Sequence, residues 1–243
     1  MAWNNKLLVF PMCADVQLFD LEGNFERNLE AQFGTFPGWF VWPSKNYIYF
    51  RTNMDHIGKI DNMFQTQVLD DIGEIADFCV QYSTDVVTWI KTDSREISNQ
   101  YAKKILPNGA DGKIIRQLNS DFVVVTSNVT CDEGDPIFKV LLFPIKTLEV
   151  ESSLSIEGID RRIRHIRLLQ TVNSLELMLA DCHKDIILLA RVRNTLVFLW
   201  KYPLSISCML VSHLHDDTWV VCGEHTAMLS FRLIIPPTLQ RIS

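Results

Sequence analysis

Val16-Gln17-Leu18-Phe19-Asp20-Leu21-Glu22-Gly23-Asn24-Phe25-Glu26-Arg27-Asn28-Leu29 reads as a strand, a tight turn and a second strand. Gly23 and Asn24 tolerate the positive φ that a hairpin turn needs, and the flanking runs carry apolar residues at strand rather than helical spacing. Working outward, Leu7 to Pro11 precedes this pair, so the first group of antiparallel strands is Leu7–Pro11, Asp15–Phe19 and Asn24–Leu29. The same short unit then recurs along the chain. Trp39–Trp42, Tyr47–Arg51, His56–Ile60 and Gln65–Leu69 make a second group, whose Tyr47-Ile48-Tyr49-Phe50-Arg51-Thr52 has the β-branched and aromatic composition that suits a pleated sheet.

Further groups follow at Ile75–Tyr82, Asp85–Lys91 and Glu96–Lys103; at Lys113–Leu118, Asp121–Ser127, Ile137–Pro144 and Leu148–Ile156; at Arg164–Thr171, Ser174–Asp181, Asp185–Val192 and Thr195–Tyr202; and at Ile206–His213, Thr218–Gly223 and Ala227–Ile235. Six groups at about 40 residues each have the period of propeller blades. A four-stranded sheet cannot cover both of its faces, so neighbouring sheets must do it, and a ring of sheets leaves no terminal sheet uncovered. The expected fold is therefore all-β, a β-propeller of about six four-stranded blades in a single domain spanning 1–243. Because the first and last groups show three strands each, the ring is expected to close with strands shared between the termini, which would protect the open edges.

Composition agrees with a folded chain: 243 residues, 47% hydrophobic, 10% aromatic and 21% charged, with 10 Gly and 9 Pro. A chain of this length buries roughly three quarters of its extended surface and needs neither metal nor disulfide to hold a core. The net charge of −6 argues against a general nucleic-acid or anionic-membrane binder. The apolar run Leu7-Leu8-Val9-Phe10 is too short for a signal peptide, and no stretch is long and apolar enough to span a bilayer. Cys13, Cys79, Cys131, Cys182, Cys208 and Cys222 are far apart and sit mostly in apolar runs, the pattern of reduced core thiols. These features predict a cytoplasmic or nuclear protein with no cofactor.

The hairpin at Val16–Leu29 resembles an NHL-type repeat, in which a strand ends in Phe-Asp, turns at an acidic-Gly pair and resumes with an aromatic. Pro37, Trp39–Trp42 and Asn46-Tyr47-Ile48-Tyr49 continue that likeness. Asn194-Thr195-Leu196-Val197-Phe198-Leu199-Trp200-Lys201-Tyr202 and Glu224–Leu233 look like the third strand of WD-type blades. The Gly-His and Trp-Asp signatures of regular WD repeats and the Asn-His-Arg pattern of regular NHL repeats are absent, so the resemblance is to the propeller superfamily at large. It implies a non-catalytic scaffold that mediates protein–protein interactions within a larger complex. Two alternatives follow from the same resemblance: an NHL-like face binding single-stranded RNA, and a metal-dependent propeller hydrolase or lyase.

Three constellations could carry such roles. Arg161, Arg162, Arg164 and Arg167 form a dense basic run whose guanidinium groups could pair with a partner's carboxylates, or with RNA phosphates. His213 and His215, which strict alternation would set on one face of a strand, together with Cys222 and His225, supply a zinc-compatible N/S donor set, although their spacing fits no common zinc module and turn chemistry explains them as well. Trp39, Phe40, Trp42, Tyr47, Tyr49 and Phe50 are either an adhesive surface or core, and core is the preferred reading. There is no phosphate-binding glycine loop, no Gly-x-Ser-x-Gly elbow and no His-Glu-x-x-His. No catalytic set is expected.

Overall fold

The structure, a computed structural model, describes residues 1–11, 14–29, 41–52, 55–69, 71–92, 94–107, 111–118, 121–129, 137–157, 165–172, 175–181, 185–205, 208–215, 218–223 and 228–232. All regular structure among them is strand, and every sheet is an antiparallel meander of consecutive strands. The chain divides into two compact units, 1–105 and 106–243.

In the first unit, sheet one comprises β1 (Ala2–Trp3), β2 (Lys6–Val9), β3 (Val16–Phe19) and β4 (Phe25–Leu29). The hairpin quoted above is β3–β4, with Phe19 opposite Phe25. Its turn forms because the Asp20 carboxylate accepts hydrogen bonds from the Asn24 backbone N–H at 2.7 Å and the Asn24 side-chain amide at 2.8 Å, while Gly23 takes φ +88°. The sequence reading missed β1. Its signal is Asn4-Asn5, which adopts φ +47° and +58° as a two-residue hairpin turn requires and sets Trp3 opposite Lys6.

Sheet two is β5 (Val41–Pro43), β6 (Tyr47–Arg51), β7 (Ile57–Asp61) and β8 (Thr66–Val68). Sheet three is β9 (Ile75–Val80), β10 (Val87–Lys91), β11 (Glu96–Ser98) and β12 (Lys103–Ile105). The expected strand Glu96–Lys103 is thus two strands. The Asn99 side chain accepts the Tyr101 and Ala102 amides at 2.8 and 3.0 Å and folds the chain back on itself between them.

Strand β6 shows why these sheets stack. Ile48 and Phe50 pack with Leu8, Val16, Leu18 and Leu29 of sheet one, while the intervening Tyr49 packs with Ile75, Phe78, Val80 and Val87 of sheet three. Both faces of sheet two are buried, so it reads as a continuous apolar run. Phe50 lies across its strand partner Gly58, where an added Cβ would come within 2.4 Å of the ring.

The second unit holds sheet four, β13 (Asp111–Gln117), β14 (Phe122–Val129), β15 (Ile137–Pro144) and β16 (Ser152–Ile156), and sheet five, β17 (His165–Val172), β18 (Leu175–Asp181), β19 (Asp185–Val192) and β20 (Thr195–Pro203). Sheet six contains β21 (Cys208–His215), β22 (Thr218–Gly223) and β23 (Met228–Arg232) among the described residues. Val124, Phe138, Val140 and Leu142 of sheet four interleave with Met178, Ala180, Ile187 and Leu189 of sheet five. Beside this apolar layer is a buried ion pair: Glu176 on β18 accepts a short hydrogen bond from Arg191, its direct partner on β19, and the guanidinium lies 4.8 Å from the centre of the Phe122 ring.

The expected sharing of strands between the termini is not seen among the described residues. Sheet one draws all four of its strands from residues 2–29, and 233–243 lie outside the described residues.

Two substitutions test this packing. Gly58→Ala forces the Phe50 ring to move and is expected to cost about 1–3 kcal/mol in urea unfolding, with Phe50→Leu added to it restoring part of the loss. Glu176→Ala strands the Arg191 charge and is expected to cost about 3–5 kcal/mol. The double change Glu176→Leu with Arg191→Met recovers most of that if charge burial is the cause.

Candidate docking surface

The basic run expected to bind partners is mostly beyond view: Arg161, Arg162 and Arg164 lie outside the described residues, and Arg167 lies on β17. Of the weak metal quartet, His225 is outside the described residues, Cys222 is on β22, and His213 and His215 are on β21. The register slips between these two histidines, with His213 opposite Trp219 and His215 opposite Thr218. Among the described residues no three His, Cys, Asp or Glu side chains gather as a metal site would require. The aromatic candidates are core where they are described: Tyr49 and Phe50 are buried, and Trp42 and Tyr47 are half-buried against the layer between sheets two and three. Trp39 and Phe40 lie outside the described residues.

A surface the sequence did not single out is assembled by turns in the first unit. Register places the Asn4-Asn5 turn and the Asp20–Asn24 turn at the same end of sheet one, since Trp3 pairs with Lys6, Leu7 with Phe19 and Phe19 with Phe25. Tyr47 opposite Asp61 does the same for the two turns of sheet two, Ser44–Asn46 and Asn62–Phe64. In sheet three, Val80 opposite Val87 and Ser98 opposite Lys103 bring together the turns at 81–86 and 99–102. Hydrogen bonds join these ends into one surface. The Asn4 amide donates to Asn62 at 2.8 Å, the Lys45 N–H donates to the Tyr82 carbonyl at 3.0 Å, and the Asn46 amide donates to Asp85 at 2.6 Å.

Turn tips are ordinarily polar, because Gly, Asn, Asp and Ser supply the required backbone angles and meet water at no cost. Here they carry Leu21 at 55% exposure, Met63 at 74%, Tyr82 at 63% and Tyr101 at 52%. None of these side chains is needed to form its turn. In the Asp61 turn the work is done by the carboxylate, which accepts the Met63 and Gln65 amides at 2.8 and 2.9 Å, and by Phe64 at φ +58°. The Phe64 ring turns inward to meet Trp3 edge-on at 5.8 Å, leaving Met63 outside. Single exposed apolar residues are unremarkable, whereas several at one end of a unit are the kind of feature found at contact surfaces.

Short-range pairs set the electrostatics of the first unit. Burial pushes the Glu96 carboxyl up, but hydrogen bonds from Lys103 at 2.5 Å and Ser98 at 2.9 Å, with the Lys91 ammonium at 3.7 Å, hold it below the usual glutamate range. The amides of Asn24 likewise hold Asp20 below the usual aspartate range. Tyr49 is pushed up to about 12, by burial first and then by the negative charge of Asp85 and the neighbouring Tyr47 hydroxyl, so it stays a neutral phenol in the core. In the second unit the outer strand β20 exposes Phe198 and Tyr202, the latter stacked edge-on against Trp200.

No known family model matches the chain, and no curated protein matches it in sequence. Solved structures do match in fold. A chain of the crystallised mitotic checkpoint complex superposes with a TM-score of 0.68 at 8% identity, over 95% of this chain and 74% of that one. The β-propeller domain of Cps50 (Swd1) from Myceliophteria thermophila gives 0.66 at 11% identity, over 94% and 82%. The fold is a β-propeller. Its sheets are thus blades, and the turn surface lies at one end of the first three. A third similar structure, the dihydro-heme d1 dehydrogenase NirN in complex with DHE, gives 0.65 at 10% identity over 94% of this chain and 52% of that one.

The Glu96 pairing has a pH signature. Its folded value is lowered, so the stabilisation is complete above the ordinary glutamate value of about 4.3 and fades as pH falls through the lower folded value. Urea midpoints of the wild type and Glu96→Gln are expected to differ at neutral pH and to converge in acid below about pH 4. A gap that persists unchanged into acid would show that the carboxylate's charge is not what Lys103 and Lys91 stabilise.

Proposed function

We propose that this chain is a non-catalytic propeller subunit of the cytoplasm or nucleus that docks other proteins, with the turn end of its first three blades as the docking surface. The observation that carries this reading is the placing of Leu21, Met63, Tyr82 and Tyr101 on turn tips that their own folding does not require. Fold alone does not decide function, as a dehydrogenase among the similar structures illustrates. Two of the others are a chain of a checkpoint complex and a propeller domain, which supports a docking role in general terms. Large exposed apolar and tyrosine side chains are the residue types that anchor interfaces when a partner excludes water from them.

The test is gentle purification of the tagged chain from its native host, followed by sizing. The wild type is expected to elute well above its monomer position, and the variant Met63→Ser with Tyr82→Ser to shift toward the monomer while its circular dichroism and urea midpoint stay unchanged. A wild type that elutes only as a lone monomer overturns the proposal.

A further inference from the structure

The apolar tips say that something docks; the charges between them say what kind of segment it is. Resting on the docking reading above, we infer that the partner presents a cationic segment, with Lys or Arg interspersed among apolar anchors. Four carboxylates, Asp20, Glu22, Asp61 and Asp85, sit on the turns that bear Leu21, Met63 and Tyr82. Asp61 is hydrogen-bonded by the Met63 and Gln65 amides and Asp85 by the Asn46 amide, all neutral donors, and Asp20 is hydrogen-bonded chiefly by the Asn24 amides, with the Lys6 ammonium adding the smallest of the influences on its charge. A neutral donor fixes a carboxylate in place without cancelling its charge.

The lysines nearest these charges have carboxylate partners of their own, and Lys6 acts on Asp20 only as the smallest of its influences. Lys6 is ion-paired with Glu26, and Lys103 with Glu96. That leaves Lys45, on the Ser44–Asn46 turn, as the one other described lysine on these turns, set against four acids. An acidic or phosphate-rich partner would meet like charge here, whereas a basic segment would set its cations against fixed carboxylates and its apolar residues against the four tips. Because these charges are at the surface, salt should weaken the interaction.

The test uses fluorescence anisotropy of the full chain with three short labelled peptides that share Leu and Phe positions and differ only in carrying Lys/Arg, Gln or Glu between them. The Lys/Arg peptide is expected to bind tightest and to weaken with added salt. Met63→Ser with Tyr82→Ser should weaken it roughly tenfold, as removal of interface anchors does. Glu22→Lys with Ser83→Lys should shift preference toward the Glu peptide. Equal or tighter binding of the Glu peptide to the wild type, tighter binding of an oligouridine, absence of peptide binding, or basic-peptide binding that ignores all four substitutions would each overturn the inference. If the Glu peptide wins and the Met63/Tyr82 variant still abolishes its binding, the docking surface stands and only its preference for a basic partner fails.

Discussion

A sheet of four short strands has two apolar faces and cannot bury either by itself. Everything else in this protein follows from how that is relieved. Strand β6 shows the solution at the level of one residue, with Phe50 packing toward sheet one and Tyr49, its neighbour in sequence, toward sheet three. In the second unit, sheets four and five meet through alternating positions of β14, β15, β18 and β19. Each interface is made by two sheets that are next to each other in the chain, so packing is built from local segments. The tolerances are correspondingly tight: Gly58 leaves the space that the Phe50 ring occupies, and Arg191 enters the interior only because Glu176 is directly opposite.

Stacking uses up the faces of the sheets and leaves their ends to contact other molecules. The ends are turns, and their backbone geometry is maintained by a few side chains: Asp20, Asp61 and Asn99 accept backbone amides, while Asn4, Asn5, Gly23 and Phe64 take the left-handed conformation. Once these residues have formed the turns, the remaining tip positions are unconstrained by folding. Apolar residues at those positions are therefore not accounted for by turn formation, and the proposed docking role supplies a reason for them.

Much of the fold was legible along the chain because strand and turn are local signals. The hairpin at Val16–Leu29, the strand Tyr47–Arg51 and the four runs of sheet five all stand in the structure within a residue or two of where composition puts them. The errors arose where short polar segments carry structure. Asn4-Asn5 makes a hairpin ahead of Leu7, where the sequence reading placed the first strand, and Asn99 divides Glu96–Lys103 into β11 and β12. The slip of register between His213 and His215 is likewise hidden in the sequence, since a bulge is a property of the pairing between two strands and cannot be seen in either one.

The sequence by itself determined the all-β class, the six-fold rhythm of short strand groups and the residues that hold their turns, because each of these depends on neighbours a few positions away. Only the tertiary structure decided which residues share a surface. Leu21, Met63, Tyr82 and Tyr101 lie 42, 19 and 19 residues apart along the chain, and nothing local marks them as neighbours. Register and the Asn4–Asn62, Lys45–Tyr82 and Asn46–Asp85 contacts bring their turns together. A surface of this kind depends on the packing of whole sheets, and so it appears only when the sheets are in place.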